Sequence, residues 1–230
     1  MIKIERTEVV GWESAIRGMR NPMNSWEKSD SFYTCSHSGY PCFDCIDYNG
    51  CKRRAVYRIG SNDLDLMQRL VKAGSDHSKF MRMLIVFCDI TAPLYWWKEY
   101  DTYKVGTVAN SCSTMHKIHE KEFTRDDFSW EHLFDDDRGA CGFYLDTLDC
   151  VIGALNDART QYRRTKDKRY WWQMIQLLPT SYNQTRTVEV NYAVLRNMYH
   201  ARKNHKLDEW HTFCEWVETL PYAKELITCE

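Results

Sequence analysis

The chain has 230 residues and a mass of 27.4 kDa; 43% of it is hydrophobic, and 31 Lys and Arg against 32 Asp and Glu leave a formal charge of -1. That is enough chain to close a sizeable core in one domain, and 14% aromatic residues argue against disorder. A charge so near zero excludes the broad basic field that holds long nucleic acid regardless of sequence.

The longest strongly apolar run, Met83 to Cys88, is far shorter than the roughly 20 residues a membrane helix needs, and the amino terminus lacks the basic-then-apolar layout of a signal. No membrane association is expected. Ten cysteines on a long, core-rich chain do not resemble the disulfide frame of a small secreted domain, so a cytoplasmic protein with reduced thiols is expected.

In chain order, Ile2, Ile4, Val9 and Val10 with charged residues between them read as a first strand over residues 2 to 10, followed by a short helix around Glu13 to Met19. From Asn21 to Arg54 the chain turns to Pro, Asn, Ser, Gly and Cys without either period, which reads as an irregular inserted loop, 21-54, in a single domain spanning 1-230. A loop of that length needs its own staple. Cys35, Cys42, Cys45 and Cys51 lie in it within seventeen residues, around one Cys-x-x-Cys core. Four thiolates suit a tetrahedral zinc, with unliganded thiols or an iron-sulfur cluster as alternatives, and His37 could stand in for Cys35.

Asn62 reads as the N-cap of a helix with Asp63 and Asp65 in its first turn, Leu66, Met67, Leu70 and Val71 on one face, and a stop at Gly74. Phe80 to Ile90 reads as a buried strand, and Pro93 as the first turn of a helix carrying Trp96, Trp97 and Tyr100. Tyr103 to Ser113 is a turn or short strand. Residues 117 to 141, with the acidic run Asp135, Asp136 and Asp137, read as loop and short helix with a solvated face. Two helices follow, one carrying Leu148, Val151, Ile152, Leu155 and Tyr162, the next Trp171, Met174, Ile175 and Leu178 before Pro179. Thr185 to Val190 is a strand, Asn191 to Lys203 a helix, and Leu207, Trp210, Cys214 and Val217 stripe a last one. Strands and helices intersperse without regular βαβ alternation, so the expected class is α+β, a mixed sheet with flanking long helices.

Neither common glycine-rich phosphate loop is present, nor a Gly-x-Ser-x-Gly elbow, nor a His-Glu-x-x-His helix, which removes P-loop chemistry and nucleophilic hydrolysis. Two polar segments remain, Tyr103 to His116 and Asn191 to Trp210. Eleven residues separate Asn191 from Arg202, about 20° around a helix, so both would project from one stripe toward an anionic ligand, with Asn197 facing elsewhere. The alternative reading of the same pair is an N-cap and a surface cation near the helix end. Cys112 reads as a buried small residue rather than a catalytic thiol.

Pro179, Asn191, Asn197 and Arg202 resemble, at the same spacing, the closing motif of the flavin-dependent thymidylate synthases, over about 40 residues without a gap. His205 and Trp210 are counterparts of a further pair, displaced by one position. The stretch from His77 to His116 is similar to that family's signature segment, Arg-His-Arg-x-x-Ser-x-Asn-x-x-Ser-x-Arg, with Asn110 and Ser113 on its Asn and last Ser. The sequence departs from it at Tyr103, Lys104 and Val105, at Val108 and at Met115, and family arginines are replaced at Ile175 and Ala193. Lys98, Arg186 or Lys203 could substitute as cations.

The resemblance implies a flavin-dependent thymidylate synthase-like fold, a homotetramer, and reductive methylation or a related modification of a pyrimidine deoxynucleotide such as dUMP. FAD would be the cofactor and NADPH the reductant. It implies Ser113 and Arg202 as substrate-binding residues and Lys104, Asn110, Asn191 and Asn197 as cofactor-binding ones. The alternative is a catalytically inactive nucleotide-binding or regulatory protein that retains the fold, with or without structural zinc in its Cys loop; a zinc-containing interaction module is the third reading.

Overall fold

The computed structural model describes residues 2–35, 55–134 and 143–229. Strand β1 (Lys3–Val10) leads into helix α1 (Trp12–Arg20) through Gly11, whose φ of 97° lies in the left-handed region. Only glycine fits there, because a Cβ would sit 2.0 Å from the Met83 carbonyl oxygen. The apolar stripe of α1, with Trp12, Ala15, Ile16 and Met19, is buried.

Two short 3-10 turns, Asn21–Met23 and Trp26–Lys28, precede strand β2 (Phe32–Cys35), which pairs antiparallel with β3 (Ala55–Arg58) and sets Tyr33 against Tyr57 edge to face at 4.8 Å. The start of the segment read as an irregular loop is therefore ordered, and its pairing partner lies beyond the end of that segment. Residues 36–54, with Cys42, Cys45 and Cys51, lie outside the described residues.

A buried ion pair staples the described part of this segment. Arg20 donates from Nε to Asp63 at 2.6 Å, and the other Asp63 oxygen accepts from the Ser29 and Ser31 hydroxyls at 2.7 and 2.6 Å and from two backbone amides. Helix α2 (Ser61–Lys72) starts two residues earlier than an Asn62 cap would place it, with Gly60 at the N-cap. The Asp30 carboxylate substitutes for a capping side chain by accepting the Asn62 and Asp63 amides at 2.9 and 3.1 Å. Gly74 ends the segment with a φ of 102°, as expected of a left-handed stop.

Strand β4 (Ile85–Pro93) begins later than the apolar run that signals it, because Lys79–Met83 forms a 3-10 turn. Helix α3 (Leu94–Tyr100) and strand β5 (Thr107–Ser111) follow, then α4 (Phe143–Thr165), α5 (Lys168–Leu177), β6 (Asn183–Asn191), α6 (Tyr192–Arg202), α7 (Asp208–Glu218) and α8 (Ala223–Leu226). The acidic run 135–137 lies outside the described residues. One sheet has the order β1-β4-β6-β5, a second the pair β2-β3. Thr187 with Asp89 and Thr185 with Thr91 step in opposite directions along β6 and β4, the register of an antiparallel pair. The α+β expectation holds.

The chain divides into two compact units, the first made of residues 1–7, 88–188 and 206–213, the second of 8–87, 189–205 and 214–230. In the first, Leu148, Leu155 and Ala158 of α4 and Met174 of α5 close over Phe123 and Phe128. A second cluster there stacks Trp96, Trp97 and Tyr100 of α3 with Trp210 and Phe213, the Trp96 and Trp210 rings 4.8 Å apart. In the second unit Trp12 meets Tyr192 edge to face at 5.5 Å, and Leu195 and Met198 are fully buried. No helix among the described residues is long and apolar enough to cross a membrane.

Candidate functional site

Ser113 lies just past the end of β5, in a turn whose shape its own hydroxyl sets. Its Oγ accepts the amides of His116 and Met115 at 2.9 and 3.3 Å. The two lone pairs are thereby occupied, and what the hydroxyl has left to offer a ligand is its proton. Ser113 therefore selects for an acceptor.

Two adjoining clefts of roughly 280 and 300 Å³, both in the first unit, share Cys112, Ser113, Lys121, Asp127 and Tyr182. Each is near the low end of the about 300 to 1,000 Å³ typical of small-molecule sites. Thr91 and Thr185 line the first, their hydroxyls 2.7 Å apart, and Lys117 lines the second. Lys121 is anchored at 2.8 Å to Asp127, whose other oxygen completes a capping box with Thr124. Burial, reinforced by Asp127 and Cys112, pushes the Tyr182 phenol up, so it stays protonated and able to donate at neutral pH. Lys117 is paired with Glu120, and Asp126 and Glu122 also line the clefts, so the hydroxyl donors stand beside lysines that carboxylates partly neutralise. Hydroxyls with nearby cations are the chemistry that receives a phosphate or a carbonyl-bearing base.

Cys112 is exposed, not the buried small residue expected, because it stands beyond the end of an edge strand. Asn110 and Lys104 belong to the same unit and are both exposed. Asn191, Asn197 and Arg202 belong to the second unit. Asn191 is the N-cap of α6 with an extended backbone, and its side chain accepts the Val194 amide at 3.0 Å. The helical stripe reasoned for Asn191 and Arg202 is lost at its first member, since a cap residue does not follow the helical rotation. Asn197 is exposed and Arg202, the last residue of α6, is half-buried.

Of the substitute cations, Arg186 is committed elsewhere: it pairs with Asp101 at 2.8 Å, donates to Gln184 and stacks 4.1 Å over Trp97. Lys98 and Lys203 are exposed. Trp210 is fully buried in the aromatic cluster, its indole donating to Glu99 at 3.0 Å. Ile175, at a lost arginine position, packs against the core of the first unit.

Tested as a grip for a flavin pyrophosphate, the signature segment falls short. It carries one cation, Lys104, while Val105, Val108 and Met115 stand 90%, 61% and 45% exposed where the resemblance implies polar ligand contacts. Exposed aliphatic groups cannot supply charge-assisted bonds. Among the described residues no group of three or more His, Cys, Asp and Glu is placed to hold a metal, and three of the four candidate zinc ligands lie outside those residues. Another cleft, roughly 610 Å³ in the second unit, is lined by Arg20, Lys28, Asp30 and Arg69 among others, but its buried cation is consumed by Asp63.

The fold is that of the flavin-dependent thymidylate synthases. The sequence matches no protein-family model and no curated protein. The structure matches flavin-dependent thymidylate synthase ThyX from Helicobacter pylori, complexed with FAD and dUMP, with a TM-score of 0.64 at 15% identity over 98% of each chain. A second structure of ThyX from that organism with FAD and dUMP gives 0.64 at 16% identity over 99% of this chain and 98% of that one. The UMP/dUMP methylase PolB from Streptomyces cacaoi, bound with 5-Br dUMP, gives 0.56 at 14% identity over 99% and 95%. Identities this low establish the fold alone.

Proposed function

We propose that the chain binds a pyrimidine deoxynucleotide such as dUMP, with the Ser113 cleft receiving its phosphate. The observation that carries this reading is the Ser113 hydroxyl, left with only a proton to donate, beside Lys121 and a protonated Tyr182. The dUMP and 5-Br dUMP in the structural neighbours support the choice of nucleotide. Isothermal titration of dUMP against Ser113→Ala should show binding weakened by roughly 1.5 to 3 kcal/mol, the range for a hydrogen bond to a charged group. Deoxyuridine, which lacks the phosphate, should bind the wild type more weakly than dUMP. Equal affinity for the two would sink the phosphate assignment.

The activity that goes with this reading is reductive methylation or a related modification of the nucleotide, with FAD as cofactor, NADPH as reductant and a homotetramer as the working form. Lys104, Asn110, Asn191 and Asn197 enter as flavin contacts, and Arg202 as a nucleotide contact, on the resemblance. Arg202→Ala tests its own residue: dUMP binding should fall by roughly 1.5 to 3 kcal/mol, and unchanged binding removes Arg202 from the site. The second reading, a catalytically inactive nucleotide-binding or regulatory protein, is favoured by the exposed Val105, Val108 and Met115.

The visible absorption spectrum of purified protein with added FAD and dUMP separates the two. A bound-flavin spectrum that NADPH bleaches selects the enzyme; a colourless protein that still binds dUMP selects the second reading. Structural zinc on Cys35, Cys42, Cys45 and Cys51 is a separate proposal, and a metal content near zero in reduced protein purified without added metal would dispose of it.

A further inference from the structure

We propose that Gln184 is a positioning residue for the nucleotide cleft, holding the Cys112 to His116 turn in place so that the Ser113 hydroxyl meets its ligand. The inference deepens the nucleotide reading of the same cleft and rests on it.

Gln184, on β6 and 7% exposed, lines the cleft and makes two side-chain hydrogen bonds whose direction chemistry dictates. A guanidinium only donates, so the Gln184 oxygen is the group that accepts from Arg186 Nε at 3.0 Å. That leaves the amide nitrogen to donate to the Cys112 carbonyl at 2.9 Å. Arg186 cannot swing away, because Asp101 holds it at 2.8 Å and the Trp97 ring lies 4.1 Å beneath it. Trp97 in turn donates to the Gln184 carbonyl at 2.9 Å.

The Cys112 amide is also tied down, donating to the Thr185 carbonyl at 2.9 Å. Both backbone polar groups of the residue before Ser113 are thus held by β6. At the far end of the turn the Trp171 indole donates to the Met115 carbonyl at 2.9 Å. The position of the Ser113 proton relative to Lys121 and Tyr182 follows from these anchors, and Gln184 is the one that joins the turn to the rigid Asp101, Arg186 and Trp97 assembly.

Gln184→Glu tests the idea with a side chain of the same shape. Its carboxylate still pairs with Arg186 but turns an acceptor toward the Cys112 carbonyl, replacing attraction by repulsion. Hydrogen exchange at the Met115 and His116 amides should accelerate, and the Kd for dUMP should rise, each on the order of tenfold, with cooperative thermal unfolding retained. Asp101→Asn, at the exposed end of the relay, should change both quantities in the same direction by less, and serves if Gln184→Glu fails to fold. Wild-type exchange rates at both amides in a folded Gln184→Glu protein would overturn the proposal, as would faster exchange with an unchanged dUMP affinity. Failure of the wild type to bind dUMP would instead remove the nucleotide reading, while the exchange rates would still decide whether Gln184 holds the turn.

Discussion

Arg20→Ala should lower the free energy of unfolding by about 3 to 5 kcal/mol, the usual cost of stranding one member of a buried ion pair. The Arg20 and Asp63 side chains are 5% and 0% exposed. Removing the guanidinium leaves a carboxylate with no solvent to turn to. It also frees the Ser25 and Lys28 carbonyls that Arg20 holds, so the segment before β2 loses its tie to α1. Urea unfolding followed by far-ultraviolet circular dichroism measures the loss, and a change under 1 kcal/mol would show that the pair stabilises little. The double variant Arg20→Met, Asp63→Leu should recover only part of it, because it removes both charges but leaves the Asp30 and Ser31 amides and the Ser29 and Ser31 hydroxyls without their acceptor.

The same pair makes an acid prediction. Burial pushes the Asp63 carboxyl up, but hydrogen bonds from Ser31, Ser29 and Arg20, with the Arg20 charge, outweigh it and hold the group below the ordinary carboxylate range. A group depressed in the folded state contributes its full stability above its unfolded value, about 3.9, and loses it as pH falls through the folded value. The stability gap between wild type and the Arg20→Met, Asp63→Leu variant should therefore shrink below about pH 4. A gap independent of pH would mean Asp63 does not titrate with unfolding.

Gly11→Ala should cost at least about 2 to 3 kcal/mol, because two penalties coincide. The φ of 97° is strained for any side chain, and the added methyl would meet the Met83 carbonyl oxygen at 2.0 Å, a distance that backbone must move to relieve. Gly74 supplies the control: its φ is 102° but nothing lies within 4 Å of a Cβ, so Gly74→Ala should cost only the conformational term, about 1 to 2 kcal/mol. Equal losses in urea unfolding would mean the α1 start relaxes freely and the close approach carries no weight.

Periodic elements were legible in the sequence. The alternation of β1, the stripes of α2, α4 and α5, and the Gly74 stop follow from local pattern, and the structure places them where that pattern does. Long-range polar pairings were not. Arg20 and Asp63 are separated by 43 positions and no spacing rule links them, so Asp63 read as an ordinary first-turn carboxylate and the staple of the following segment went unseen. Asn62 looked like a cap because caps are inferred from the helix's own chain, whereas the cap here arrives from Asp30.

In the candidate site, Ser113 was legible only through spacing shared with a known motif. Lys121, Tyr182 and Gln184 reach the same cleft from a loop and a strand, where neither period applies. The available signal was the unbroken polar run Tyr182, Asn183, Gln184 and Thr185 ahead of the alternating Thr187, Val188, Glu189 and Val190. Asn191 carried both of its possible readings in one residue, and the extended backbone at that position realises the cap.

The interleaving of the two units bears on how the chain is made. Each draws on three separate stretches of sequence, and the first still needs residues 206–213 after the second has received residues 189–205. A ribosome delivering the chain from its amino terminus thus releases most of both units before either can close. Strand β4 must wait, with that edge uncovered, for β6, whose facing residues come 94 and 98 positions later. Such non-local closure folds slowly and exposes the nascent chain to aggregation, so yield during expression should depend on temperature and chaperone supply more than the stability of the finished fold would imply.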